Sequence, residues 1–283
     1  MRRLIIPILL LAAAHPLAAS YADHDLLIPV VGRGAGVAGR LFFTALWITN
    51  AGDHPATLTL SYLESGHANP SPRQTTVLLA PRETRVFDPL GPPILTSINS
   101  IGALRIEANA DVVASARIYG YLPAAGPSTA VAMALTAIPT RLGVGNGQSA
   151  LLHGDGASDA RYKLHLVETA GAALSVVVSI EDLHGQTRAE KRIFLDRFEH
   201  VSADTHDLFP GVKLDQAIIR VRGVNGEGRV IAAGTQVMNS SHDGCAYEMS
   251  FAPEPHTRVR APEAAVYVAI ALVVGLAIIW RRK

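Results

Sequence analysis

The sequence predicts an all-β protein: two tandem antiparallel β-sandwich domains between an N-terminal signal peptide and one C-terminal transmembrane helix. Three observations carry this reading. Short segments rich in Val, Ile, Leu, Thr and aromatic residues recur along the chain, each bounded by Gly, Pro, Asn or Asp, the pattern of strands and turns. The order of these segments runs twice. An apolar run lies at each end beside basic residues.

Composition agrees with that layout. Of 283 residues 49% are hydrophobic and 17% charged, with a mean hydropathy of +0.24, more apolar than an ordinary soluble domain. All 24 acidic residues lie between Asp23 and Glu263, while Arg2, Arg3, Arg281, Arg282 and Lys283 hold five of the 25 basic ones. With those five set aside, 20 basic residues face 24 acidic ones and the body carries a net charge of −4. A mildly acidic body without clustered cations argues against nucleic acid as a partner. Recurrent long apolar runs exclude intrinsic disorder.

Residues 1–22 have the layout of a secretory signal peptide: Arg2 and Arg3, an apolar stretch from Leu4 to Ala14, then small residues from 17 to 22. The apolar stretch contains Pro7 and falls short of the ~20 residues that span a bilayer. Cleavage after Ser20 or after Ala22 fits the small-residue pattern, and Ala22 is preferred. The expected localisation is therefore outside the cytoplasm.

Residues 23–121 form the first predicted sandwich and 148–250 the second. In the first, the segments are 43–52, 56–63, 75–80, 84–90, 103–107 and 112–121; in the second they are 162–171, 174–182, 192–195, 200–209, 218–221 and 229–238. Ala51-Gly52 matches Ala170-Gly171 at an offset of 119, and 104–106 matches 219–221 at 115, as one loop deletion would give. Residues 57–63 alternate, so that Leu58 and Leu60 face one side and Thr57 and Thr59 the other. That means one buried face and one wet face. The absence of amphipathic segments of helical length between the strands argues against a parallel sheet. On this alignment His165 replaces Leu46 and Leu166 replaces Trp47, which predicts a smaller core in the second copy, and Trp47 is read as a core anchor.

This layout, with its opening 26–31 run, the Leu46-Trp47-Ile48-Thr49-Asn50 strand, a proline turn before Thr84 and the closing segments 104–107 and 115–119, resembles the immunoglobulin-like repeats of secreted bacterial surface proteins. The resemblance implies a fold and leaves the activity open.

Between the copies, residues 122–147 read as linker and junction, rich in Pro, Ala, Gly and Thr, with 130–138 supplying a strand or crossing the junction. Residues 251–263 read as a stalk. Residues 264–280 are an uncharged run of 17, roughly 25 Å long as a helix, with Tyr267 and Trp280 near its ends. The tail 281–283 stays cytoplasmic by its charge, leaving the body extracytoplasmic on a single-pass inner-membrane anchor. The sequence Ala261-Pro262-Glu263-Ala264, followed by an apolar helix and an arginine-rich end, resembles the PEP-CTERM sorting tail of Gram-negative bacteria, although Ala264 stands where the motif has a second proline. The resemblance implies a membrane sorting protease of the exosortase type as partner, Pro262 and Glu263 as its recognition positions, and a mature protein at the cell surface without the helix. A permanent anchor through Arg281 and Arg282 is the alternative.

No catalytic set is legible. There is no Gly-x-Ser-x-Gly elbow, and the glycine-rich stretches 32–36 and 143–147 lack the lysine and hydroxyl of a phosphate loop. Cys245, the single cysteine, allows no internal disulfide; it is read as a small buried residue, with a free surface thiol able to pair between chains as the alternative. The segment Glu199 to Asp207 holds the densest histidine and carboxylate cluster. Its His200, Asp204 and His206 are candidate metal ligands, yet on an extended strand His206 would lie about 20 Å from His200. No metal or other cofactor is therefore expected. The expected function is non-enzymatic: an envelope protein presenting two modules for adhesion, matrix structure or assembly, through a protein or glycan partner. Tyr119 and Tyr121 are the candidate contact, on a strand read as a sheet edge. Carbohydrate binding is the alternative, and metal-assisted hydrolysis through His200 and Asp204 the third.

Overall fold

A computed structural model describes residues 22–154 and 159–251. Most of the signal peptide, nearly all of the stalk, the apolar segment 264–280 and the tail lie outside the described residues, and with them Pro262, Glu263, Arg281 and Arg282. Among the described residues no helix is long and apolar enough to cross a membrane.

The chain is nearly all antiparallel β. In the first half, β1 (Asp23–Ala35), β2 (Leu41–Asn50), β3 (Ala56–Glu64), β4 (Arg73–Leu79), β5 (Thr84–Phe87) and β6 (Ser100–Tyr121) form one sheet in the order β4-β3-β6-β1-β2-β5. Strand β6 runs for 22 residues. Its first part pairs with β3 and β1, its second part with β2, from Val112 opposite Asn50 to Tyr121 opposite Leu41. One strand thus serves two layers, and the leucines and isoleucines of Leu26, Ile28, Leu46, Ile48, Leu58, Leu60, Leu104 and Ile106 bury between them.

The second half repeats this pairing with one break. β9 (Ser149–Gly154), β11 (Leu174–Asp182), β12 (Thr187–Leu195) and β14 (Ala217–Gly226) make the sheet β12-β11-β14-β9, extended by β17 (Ser250–Phe251). The facing sheet is β13-β10-β15-β16, from β10 (Ala160–Glu168), β13 (His200–Asp204), β15 (Val230–Met238) and β16 (Gly244–Glu248). Strands β14 and β15 take the places of the two parts of β6. The chain breaks between them because Gly226 sits at φ 116°, where a side chain would also meet the Ala173 carbonyl at 2.3 Å. A short helix α1 (Thr205–Leu208) follows β13, with the Asp204 side chain accepting from the His206 N–H at its start.

Side-chain phase corrects the alignment read from sequence. Leu46 and Ile48 point into the first core, so Trp47 between them points out; it is half-buried and is no core anchor. In β10 the inward residues are Tyr162, Leu164 and Leu166, which puts His165 on the outer face. His165 therefore does not replace Leu46, and no smaller core follows from it: a slip of one residue exchanges the two faces of a strand. Cys245, also read as buried, is exposed on β16.

Residues 122–147 are built into the fold and do not act as a free linker. β7 (Val131–Thr136) pairs with β6, and β8 (Ile138–Pro139) with β1. Residues 130–136 prefer this place because they add a strand to an otherwise open edge and bury Leu135.

Gly234 illustrates how tightly the second core is closed. A Cβ there would lie 1.9 Å from the hydroxyl oxygen of Tyr162, whose ring stacks on Tyr247 with centroids 5.6 Å apart and whose hydroxyl donates to the His153 carbonyl. Gly234→Ala should destabilise the protein by about 1–3 kcal/mol through overpacking. An unchanged urea midpoint would contradict this packing.

Candidate functional site

The outward residues of β10 are Arg161, Lys163, His165 and Val167, and those in register on β13 and β15 include His200, Ser202, Thr235 and Ile231. In a free sandwich this face would be wet. Here it lies against the first module, and Val167, His165 and His200 are all within 1% of full burial. The His200 carbonyl accepts from the Gly66 N–H at 2.8 Å and from the Ser65 hydroxyl at 3.2 Å. Asn69 donates its amide to the Phe198 carbonyl at 3.0 Å and its backbone N–H to Arg197. The Arg105 guanidinium, paired with Asp25 at 2.8 Å, lies over the Phe198 ring. Leu27, Leu63, Ala103 and Ile138 of the first half join the core cluster of the second. The two modules are one packed body.

Within that seam, the rings of His165 and His200 stack with centroids 5.6 Å apart and an interplanar angle of 3°. His165 Nε2 shares a hydrogen bond of 2.9 Å with the Thr235 hydroxyl, while its Nδ1, both ring nitrogens of His200 and the Ser202 hydroxyl have no partner. Burial holds His200 down at about 3 and pushes His165 well below the usual imidazole range, with His200 and Lys163 adding to the effect. Both rings are neutral at neutral pH. Ser202 bonds to neither ring; the hydroxyl bonded to His165 is that of Thr235.

The structure separates the candidate metal ligands. His200 is buried in the seam, Asp204 caps α1, and His206 follows at its first turn. Among the described residues no group of three or more His, Cys, Asp or Glu could hold a metal ion. The neighbour of His200 is His165, 35 positions earlier, which linear spacing around His200 could not reveal.

Tyr119 is not on an edge, and Tyr121, at the end of β6, pairs with Leu41 of β2 just past the last β7 partner. β6 is bonded on one side to β2 and on the other to β7, with Tyr119 between Phe43 and Ala132. The reason is again the strand supplied by 131–136. What the two tyrosines form is an outer-face row. Phe43 lies 5.7 Å from Tyr119 and 5.6 Å from Tyr121, and Arg117 bridges Tyr119 and Trp47 with its guanidinium 4.9 Å and 5.9 Å from their rings. The Tyr119 hydroxyl donates to Asp88 at 2.7 Å, and burial together with that carboxylate pushes it up to about 12.

Beside His165 the seam opens into a cavity of about 470 Å³, walled by both modules.

Fold and seam define an all-β, antiparallel two-module body. No protein-family model matches the chain, and no curated protein matches it. A solved structure described as "Crystal Structure of Thermotoga maritima 1070" is similar over 42% of this chain and 96% of its own, at 19% identity and a TM-score of 0.32.

Proposed function

We propose that the chain is a non-enzymatic envelope protein, exported and either anchored in the inner membrane through 264–280 or sorted to the cell surface after C-terminal processing, and that it presents two immunoglobulin-like modules for adhesion, matrix structure or protein assembly. The observation that carries the reading is the pairing of export-type ends with a body whose modules are packed into a single unit. A packed pair keeps its outer faces at a constant spacing, which suits a structural or adhesive surface better than modules on a flexible tether. Modules of this kind engage partners through loops and exposed faces.

Cell fractionation combined with intact mass spectrometry tests it. The expected result is an extracytoplasmic protein beginning at Asp23 and ending at Lys283 if anchored, or near Pro262 if sorted. A cytoplasmic protein retaining Met1 would overturn the proposal.

A glycan partner is the second reading, favoured by the outer-face row of Tyr121, Phe43, Tyr119 and Trp47, since aromatic faces stack on the apolar faces of sugar rings. Binding on a glycan array that disappears in Phe43→Ala and Trp47→Ala is the expected result. An empty array would remove this reading.

A further inference from the structure

We propose that the cavity between the two modules binds a small amphipathic organic anion, a carboxylate carrying a medium-length alkyl chain. The proposal goes beyond the envelope reading and does not depend on it.

At about 470 Å³ the cavity falls within the ~300–1,000 Å³ of small-molecule sites. Its walls include Phe42, Ile118 and Met133, enough apolar surface for a hydrocarbon chain. Its polar end is cationic. Arg161, Lys163 and His165 alternate along one face of β10, and Arg40 approaches from the first module. Among the described residues no acidic residue lines the cavity, and Arg40, Arg161 and Lys163 form no ion pair.

On that face Asp204 stands in register with Lys163 and Glu248 with Ala233; they accept from the His206 and Thr136 N–H groups and form no ion pair with Arg161 or Lys163 among the described residues. Three cations at one end of the cavity outnumber these acids, and the net positive charge attracts an anion.

His165, 1% exposed, closes the inner wall beside Thr235, with which its Nε2 shares a hydrogen bond of 2.9 Å. The charged ends of Arg161, which is half-buried, and of Lys163, which is exposed, are the groups a carboxylate can reach. The head group sits against Arg161 and Lys163, with Arg40 on the facing module, and the chain lies between Phe42, Ile118 and Met133.

Equilibrium dialysis of the full chain against labelled decanoate tests the proposal, with acetate, decan-1-ol and decyltrimethylammonium as comparison probes. The expected result is saturable binding of one decanoate per chain, with none of the three comparison probes saturating in the same range. Arg161→Gln and Lys163→Gln should each weaken decanoate at least about tenfold, the loss of one charge-assisted bond. Lys163 is exposed and Arg161 half-buried, so the fold should survive both changes, and melting without ligand checks this. If a variant melts early, Arg40→Gln on the facing module replaces it. Absence of saturable decanoate binding overturns the proposal, as does equal binding of decan-1-ol or acetate, or undiminished binding by the folded charge variants.

Discussion

Replacing Glu168 with alanine is expected to remove roughly 4 kcal/mol of stability or more, the largest single loss in the molecule. The side chain is fully buried, and its two carboxylate oxygens accept from four backbone N–H groups: Ala170 at 2.7 Å, Gly171 at 2.9 Å, Phe198 at 2.9 Å and Arg229 at 3.1 Å. These belong to three separate stretches of chain: the turn after β10, the turn before β13 and the break between β14 and β15. Each N–H left buried without an acceptor costs about 1–3 kcal/mol, so the sum exceeds what any one apolar truncation removes. Glu168→Gln should be nearly as damaging, because the amide turns one of its two acceptors into a donor facing N–H groups. Urea unfolding followed by far-ultraviolet circular dichroism measures the loss. A Glu168→Ala variant within about 1 kcal/mol of the parent would show that the four bonds are not the hub of this module.

The second large effect is a loss of stability on mild acidification, carried by His165 and His200. In the unfolded chain both titrate near 6.5; in the folded protein burial holds His200 at about 3 and His165 well below its usual range. A lowered folded value means that the unfolded chain binds protons first. Stability is therefore complete above about pH 6.5 and falls as pH drops below it, until the folded protein also takes up the protons. Between pH 6.5 and 5 the loss from His200 is roughly 2 kcal/mol, and His165 adds to it in the same direction. Paired carboxylates such as Glu181, held low by Arg220, lose their contribution only at more acid pH, below their ordinary range. The double variant His165→Phe, His200→Phe should keep the stacked volume and flatten the dependence between pH 7 and 5. Urea midpoints across that range that fall as steeply in the double variant as in the parent would refute this assignment.

Much of the fold was legible because strand-forming residues, turn glycines and period-two alternation are local. Thr57 to Leu60 shows this, with Leu58 and Leu60 buried and Thr57 exposed; further along, Ser61 and Leu63 on the face expected to be wet are buried, Leu63 in the core cluster of the second half. The recurrence of Ala-Gly after a polar strand end also carried a signal for the hub. Asn50 precedes Ala51-Gly52 and Glu168 precedes Thr169-Ala170-Gly171; both are buried, and both accept from the backbone of the turn that follows. The phase of the repeat was less legible. Matching by glycine pairs put His165 over Leu46, and a shift of one residue was enough to exchange inside for outside. Tyr119 looked like an edge residue because a strand's neighbours are not written in its own sequence: the apolar stretch 130–138 read as a strand or a junction segment, and nothing local in it named β6 as the partner of β7.

The sequence by itself determined the all-β class, the repeated order of strands and the alternation that makes each strand two-faced, because these follow from backbone preference and burial within a few residues. Only the tertiary structure decided which outward faces stay wet. The outer face of β10, β13 and β15 is polar enough for solvent, with its lysine, arginine, serine and two histidines. Yet it is covered because Leu27, Leu63, Ala103 and Ile138 of the first module gain more by leaving water than the neutral rings of His165 and His200 lose. That balance joins residues far apart in the chain, so no local pattern announces it.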